Sequence, residues 1–374
     1  MSSLKKHFPM IREREEVLAD IEGNKELRNT FYKWTEKQQM EFLDICTGIK
    51  GMKILSDSIF KEVSNPEYAP ERMNDFLSAI YKQKVKILRV LPNDSVRIAT
   101  EGTLLITDLV VQLEDGSIVN VEVQRIGYKF PGERAACYSA DLLLRQYKRV
   151  RDQRGKRFFY KDIKPVYTIV LFEQSPQEFK QFPDKYIHYM EQKSDTGLEL
   201  NLLQKYVFIS LDIFKQKRHN EPIKDELEAW LTFFSTEDPE SIERLITAYP
   251  KFKKIYETIY DICLNTERVM GMFSKELQIL DENTVQYMID EMQAIIDYQK
   301  GTIENNEKVL AEMDRVIEEK DKVLEEKEKI LGETEKILGE KEKILGEKER
   351  ILGEKNLRIE QLIKQLELAG IQPE

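Results

Sequence analysis

The stretch ITDLVVQLEDGSIVNVEVQR, residues 106–125, sets two strand-like runs on either side of a short turn. Two apolar, β-branched runs, LLITDLVVQL (104–113) and SIVNVEVQ (117–124), flank the turn residues Glu114, Asp115 and Gly116, an order that predicts a β-hairpin. Asp108 interrupts the first run, while Glu122 and Gln124, two apart on the second, project from one face of their strand. The length of the turn decides which side Asp108 takes. A three-residue loop with Gly116 in the left-handed region pairs Leu113 with Ser117 and brings Asp108 opposite Glu122. A two-residue Asp-Gly turn would set Asp108 opposite Val123 instead, on the other face. The three-residue register is the one expected.

Two carboxylates on adjacent strands repel unless a cation sits between them. Oxygen donors in that arrangement suit Mg²⁺ or Mn²⁺, and the carbonyl of Val123 offers a further ligand. Such an ion activates water and stabilises charge on a phosphodiester. The competing reading makes Asp108 and Glu122 solvent-facing residues of a half-exposed sheet. A carboxylate set among valine, isoleucine and leucine fits that reading less comfortably.

Outward from the hairpin, Met73, Phe76, Leu77 and Ile80 in ERMNDFLSAIYKQ (71–83) stand at helical spacing. VKILRVL (85–91) reads as a strand, residues 132–152 as a helix, VYTIVLF (166–172) as a buried strand and KYVFISLDI (205–213) as another. Helix, strand, hairpin, helix, strand is an α/β unit with a mixed sheet. Beyond it, 225–248 and 250–266 read as helical, with Asp238 and Pro239 opening a helix inside the first of these. Charged helix-like stretches also lie near 11–22 and 33–44.

The C-terminal end is a seven-residue repeat. Isoleucine recurs at Ile330, Ile337, Ile344 and Ile351, each followed by leucine and then by Gly332, Gly339, Gly346 or Gly353. Seven is the coiled-coil period, but the two apolar residues are adjacent rather than three or four apart, and each glycine costs a helix about 0.5–1 kcal/mol against alanine. Residues 274–368 read as largely helical with a thin apolar stripe. Weak self-association and a solvated low-complexity helix both fit it.

Composition bounds the class. Of 374 residues, 58 are Lys or Arg and 68 Asp or Glu, for a net charge of −10, and 41% are hydrophobic. Cys46, Cys137 and Cys263 make neither a disulfide framework nor a CxxC metal site, and three histidines are too scattered for a metal centre. No apolar run follows the basic N-terminus and none approaches membrane-spanning length, so a cytoplasmic protein is expected. A net −10 argues against nucleic acid until it is divided by segment. Residues 77–165 hold 17 basic against 10 acidic side chains, a net of +7, whereas 301–374 are net −6. Arg145, Lys148, Arg149, Arg151, Arg154, Lys156 and Arg157 precede Phe158, Phe159 and Tyr160, a mixture that fits a phosphate-tracking surface as well as a solvated helix end.

Asp108 followed by Glu122-Val123-Gln124 resembles the D…(D/E)xK signature of the PD-(D/E)XK nuclease superfamily, and further features resemble its transposase-like, recombination-promoting branch. SDSIFKEVSNPEYAPERMNDFLSAI (56–80) looks like that branch's opening segment. FPGERAACYSADLLLRQY (130–147) looks like the helix after the hairpin, with Arg134, Tyr138 and Gln146 in the family's spacing. The resemblance covers roughly 50–250. It implies a restriction-endonuclease-like αβββαβ core with a mixed sheet, dependence on Mg²⁺ or Mn²⁺, and DNA as substrate. Asp108, Glu122 and the Val123 carbonyl would hold the metal. Gln124 stands where the superfamily has lysine; it brings no charge and can only orient water or a phosphate oxygen. Arg134, Tyr138, Arg145 and Arg149 would meet DNA from the helix. The expected layout is a helical segment at 1–50, the nuclease-like core at 51–215, a helical extension at 216–300 and the charged heptad helix at 301–374. A weak homodimer through that last helix is expected too. The alternative is a nuclease fold without catalysis that binds DNA or protein through its basic face and tail.

Overall fold

Three strands follow one another in the centre of the sequence: Ile87–Val90 (β1), Leu109–Leu113 (β2) and Ile118–Gln124 (β3). They belong to a computed structural model that describes residues 4–91, 109–125, 132–218 and 221–370, without the side chains of 282–291 and 294. Ahead of them lie Arg14–Gly23 (α1), Lys25–Phe31 (α2), Glu36–Cys46 (α3), Asp57–Ser64 (α4) and Pro70–Tyr81 (α5). After them come Gly132–Arg154 (α6), Val166–Phe172 (β4), Gln177–Lys180 (α7), Ile187–Glu191 (β5), Gln204–Ser210 (β6) and Leu211–Lys217 (α8). Glu226–Ser235 (α9), Pro239–Ala248 (α10), Lys251–Cys263 (α11) and Thr266–Leu368 (α12) complete the order.

The turn has the three-residue form. Gly116 sits at φ 89°, in the left-handed region, and its N–H donates to the Leu113 carbonyl at 3.0 Å. The Leu113 N–H donates to the Ser117 carbonyl at 2.9 Å, and the ladder runs back through Gln112–Ile118 to Leu109–Val121. Asp115 reinforces the turn by accepting from the Ser117 N–H at 2.9 Å.

The strands form one mixed six-stranded sheet in the order β1-β2-β3-β4-β6-β5. β3, β4 and β6 are parallel neighbours, and α6 carries the chain from β3 to β4 as a parallel pair demands. Period two then sorts the side chains. Val119 and Val121 of β3, with Ile169, Leu171, Val207 and Ile209, face the large core built by the N-terminal helices, α5 and the helices after β6. Val110, Ile118, Val166, Val170 and Phe172 face α6, meeting Ala135, Tyr138 and Leu142. Helix, sheet and helix make three layers, and both faces of the parallel strands are covered.

On the larger side α5 is pinned to the sheet by polar bonds as well as by Phe76 and Leu77, which are fully buried. Asn74 Oδ1 accepts from the Ile87 N–H at 2.7 Å, and Ser78 Oγ from the Val85 N–H at 2.8 Å. Phe76 packs edge-on against Phe234 of α9 with ring centroids 5.0 Å apart. Each such buried aromatic contributes about 1.5–3 kcal/mol of transfer free energy. Asp238 caps α10 by accepting from the Ser241 N–H, and Pro239 takes the first helical position.

Two elements differ from the sequence reading. The apolar run at 205–213 leaves the sheet at Ser210, and Leu211, Ile213 and Phe214 are buried from α8 instead. β5 was not expected, because IHYME is an edge strand with three of its five residues exposed and shows no apolar alternation.

Contacts divide the chain into two compact units, 1–281 and 282–374. The N-terminal helices, the sheet, α6 to α11 and the first turns of α12 belong to the first. In the second, the chain is helical to Leu368, and its repeated isoleucines are exposed, from Ile330 at 62% to Ile351 at 40%, as are the leucines that follow them. No described helix is long and apolar enough to cross a membrane.

The two kinds of glycine should respond to alanine with opposite signs. At Gly116 a Cβ would lie 3.1 Å from Lys164 Cγ at a left-handed φ, so Gly116→Ala is expected to destabilise the core by about 1–2 kcal/mol. At Gly339, helical and in open space, alanine should raise helicity and stabilise by about 0.5–1 kcal/mol. Urea unfolding for the first and far-ultraviolet circular dichroism for the second check the pair; a neutral Gly116→Ala would contradict the strained-turn account.

Candidate functional site

β3 decides what reaches the α6 side of the sheet. Ile118, Asn120, Glu122 and Gln124 alternate onto that face, and Val119, Val121 and Val123 onto the other. Glu122 is only 2% exposed. A carboxylate held there needs a counter-charge, since a buried unpaired ion costs several kcal/mol. Arg134, in the first turn of α6, provides one: its Nη2 lies 3.4 Å from Glu122 Oε1. Arg134 is itself held by Tyr138 one turn on, donating from Nε to the Tyr138 hydroxyl at 2.6 Å. Tyr138 is 2% exposed and wedged among Ala135, Val170, Phe172 and Phe208. The apolar packing of one ring thus aims a guanidinium at a buried carboxylate.

The other expected site residues spread along the helix. Gln124 and Val123 are half-buried at the end of β3, where Glu173 N–H donates to the Gln124 carbonyl at 3.0 Å. Arg145 pairs with Asp141 at 2.7 Å within α6. Arg149 lies a further turn on, with Nη2 buried. Arg134 and Tyr138 therefore gather at Glu122, while Arg145 and Arg149 stand about 16 and 22 Å along the helix from Arg134, at 1.5 Å per residue. Asp108 lies outside the described residues.

Two groups near the site were not anticipated. Asn120, two residues before Glu122 on the same face, is fully buried, as are its ladder neighbour Thr168 and Ser139 of α6. The run IVNVEVQ did carry the signal, because Asn120 breaks an apolar strand in phase with Glu122. On the opposite face Arg125, next in sequence after Gln124, bridges to Glu173 at 2.9 Å and to Glu276 of α12 at 2.5 Å, while Lys53 holds Glu173 at 2.6 Å. Nothing local in the sequence links residues 53, 125, 173 and 276. That network anchors the end of β3 just past the Glu122–Gln124 segment.

The two acids of the network titrate in opposite directions. Burial pushes Glu173 up, but Lys53 and Arg125 outweigh it and hold the carboxyl below its ordinary value. At Glu276 burial prevails over the pull of Arg125 and Lys53, and the charge of Glu173 adds to it, so that carboxyl is raised.

The family described as PD-(D/E)XK nuclease family transposase matches residues 54–288. The chain belongs to that family. The match begins just ahead of α4, takes in the whole sheet and α6 to α11, and ends within α12. No curated protein and no solved structure matches the chain. PD-(D/E)XK nucleases typically use divalent metals, and the donors here are of the right kind: the Glu122 carboxylate and backbone carbonyls are hard oxygen ligands. Among the described residues no group of three or more His, Cys, Asp and Glu could hold a metal.

The opposed titrations give a test of this network. Glu173 stabilises the fold above its ordinary pKa, and that contribution is lost as pH falls through its lowered one; Glu276, being raised, loses its contribution as pH climbs. Glu173→Gln is therefore expected to cost about 1–3 kcal/mol at pH 7, leaving Arg125 and Lys53 without their shared acid, and Glu276→Gln close to nothing. Urea midpoints at pH 5 and 7 check the order; a larger loss from Glu276→Gln would contradict it.

Proposed function

We propose that the protein is a metal-dependent DNA endonuclease whose active face is the α6 side of β3. The observation that carries this is the hairpin register. Leu109, next after Asp108 in sequence, pairs with Val121, next before Glu122; this is the register for which the sequence reading expects Asp108 opposite Glu122, on the face where Arg134 lies. Asp108, Glu122 and the Val123 carbonyl would hold Mg²⁺ or Mn²⁺. The cation would supply Lewis acidity at the scissile phosphodiester.

The chain's own residues do the rest. Gln124, on the same face two residues beyond Glu122, orients the attacking water by hydrogen bonding. Arg134, fixed by Tyr138, presents its guanidinium to the phosphate oxygens when DNA arrives, exchanging part of its bond to Glu122 for a phosphate contact. Arg145 and Arg149 meet flanking backbone farther along α6. The +7 charge of residues 77–165 draws the polyanion to this face despite the acidic total. The apolar stripe of the tail supports a weak homodimer, the reaction takes place in the cytoplasm, and the cuts serve recombination or the movement of DNA elements.

Asp108→Ala and Glu122→Ala are each expected to abolish Mg²⁺-dependent nicking of supercoiled plasmid while leaving thermal unfolding in place. Full activity in both variants would remove the mechanism; a wild type that binds DNA but cuts none with either Mg²⁺ or Mn²⁺ would favour a binding module on the same fold. Deleting 301–374 should convert a weak dimer to a monomer by light scattering, and an unchanged mass would take the tail out of assembly.

A further inference from the structure

Arg89 of β1 pairs across the ladder with Gln112 of β2, and ladder partners project from the same side. Gln112 is two residues from Val110, which packs beneath α6 with Ile118, Leu142 and Val166. Arg89 therefore rises on the α6 side, and its Nε donates to Gln112 Oε1 at 2.9 Å, which fixes the plane of the guanidinium. On α6, Leu142, Gln146 and Arg149 follow at spacings of four and three and share the stripe that faces the sheet. Leu142 is buried there, and Gln146 Oε1 accepts from the Lys164 N–H at 2.5 Å. Arg149 Nη2 is buried with no hydrogen-bond partner among the described residues. Burial and then the like charge of Arg89 draw the Arg149 guanidinium below its ordinary pKa, and no described carboxylate offsets them.

A guanidinium with an idle buried N–H, on the same side of the sheet as a second cation whose charge reaches it, is an arrangement that an oxyanion would relieve. We propose that Arg89, Gln112 and Arg149 form a seat for a DNA backbone phosphate, apart from the scissile one at Glu122. Guanidinium forks match the paired oxygens of a phosphodiester, and Gln112 keeps one fork in place. The seat rests on the nuclease reading of the Glu122 face and adds to it a second grip on the same duplex. Arg149 lies about 22 Å from Arg134 along the helix, roughly six base pairs at 3.4 Å each. The phosphate it takes is thus a flanking one, and its role is to position the duplex rather than to react.

The test is duplex binding in chelator, where no cleavage occurs. Fluorescence anisotropy of a 30-base-pair duplex is titrated with full-length wild type, Arg89→Gln/Arg149→Gln and Arg89→Lys/Arg149→Lys between 50 and 200 mM NaCl. Losing the one phosphate held by this seat reduces the slope of log affinity against log salt by about 0.9. Wild-type affinity should therefore fall about 3.5-fold more than that of the glutamine variant over this range. The lysine variant, which keeps both charges, should retain most of the wild-type slope. An unchanged slope in the glutamine variant overturns the seat and leaves the nuclease reading standing. A lowered melting temperature with an unchanged slope would show a purely structural pair and also overturn it. Wild type that binds no duplex overturns the seat and the reading together.

Discussion

One left-handed residue governs the rest of this structure. Gly116 at φ 89° closes the β2–β3 turn over three residues, and in a strand every side chain's face follows from that count. Had the turn closed over two, β2 would have slipped by one residue against β3 and turned its apolar set to the opposite layer. With the register as it stands, Val119 and Val121 enter the main core, and Asn120 and Glu122 are delivered to α6. The core and the site are two consequences of the same constraint.

The energetic tension lies in what that delivery costs. Glu122 is placed where water scarcely reaches it, in a layer where Val170, Phe172 and Tyr138 pack beside the buried polar Asn120, Thr168 and Ser139. α6 answers with a chain of dependence: Tyr138 is locked by apolar packing, Arg134 by Tyr138, and the Glu122 charge by Arg134. On the other side of the strand, Arg125, Glu173, Lys53 and Glu276 tie the end of β3 to β4 and to the start of α12. A strand end held from both faces is what a site needs if its carboxylate is to keep its geometry as a polyanion approaches.

Much of this was legible in the sequence. The hairpin, its register, α5, α6 and the mixed sheet follow from periodicity and turn chemistry, which are local. The parity of Glu122 and Gln124 needed only the alternation of a strand. β5 escaped because an exposed edge strand carries little alternation, and the end of β6 because LDIF is apolar enough for either strand or helix. What no local pattern could show is the meeting of distant residues. The pairing of Arg125 with Glu173 and Glu276, and of Arg89 with Gln112, depends on how the strands are ordered and where α6 and α12 lie against them. The same placement separates Arg145 and Arg149 from Glu122, though the basic run reads in sequence as a single patch.

On the proposed reading, the α6 face of β3 is a metal site shared by Asp108 and Glu122. Isothermal titration of Mn²⁺ into the full chain tests it without reference to any substrate. A single binding event in the wild type that is lost in both Asp108→Asn and Glu122→Gln is the predicted result. Unchanged Mn²⁺ binding in Glu122→Gln, or none in the wild type, would contradict it.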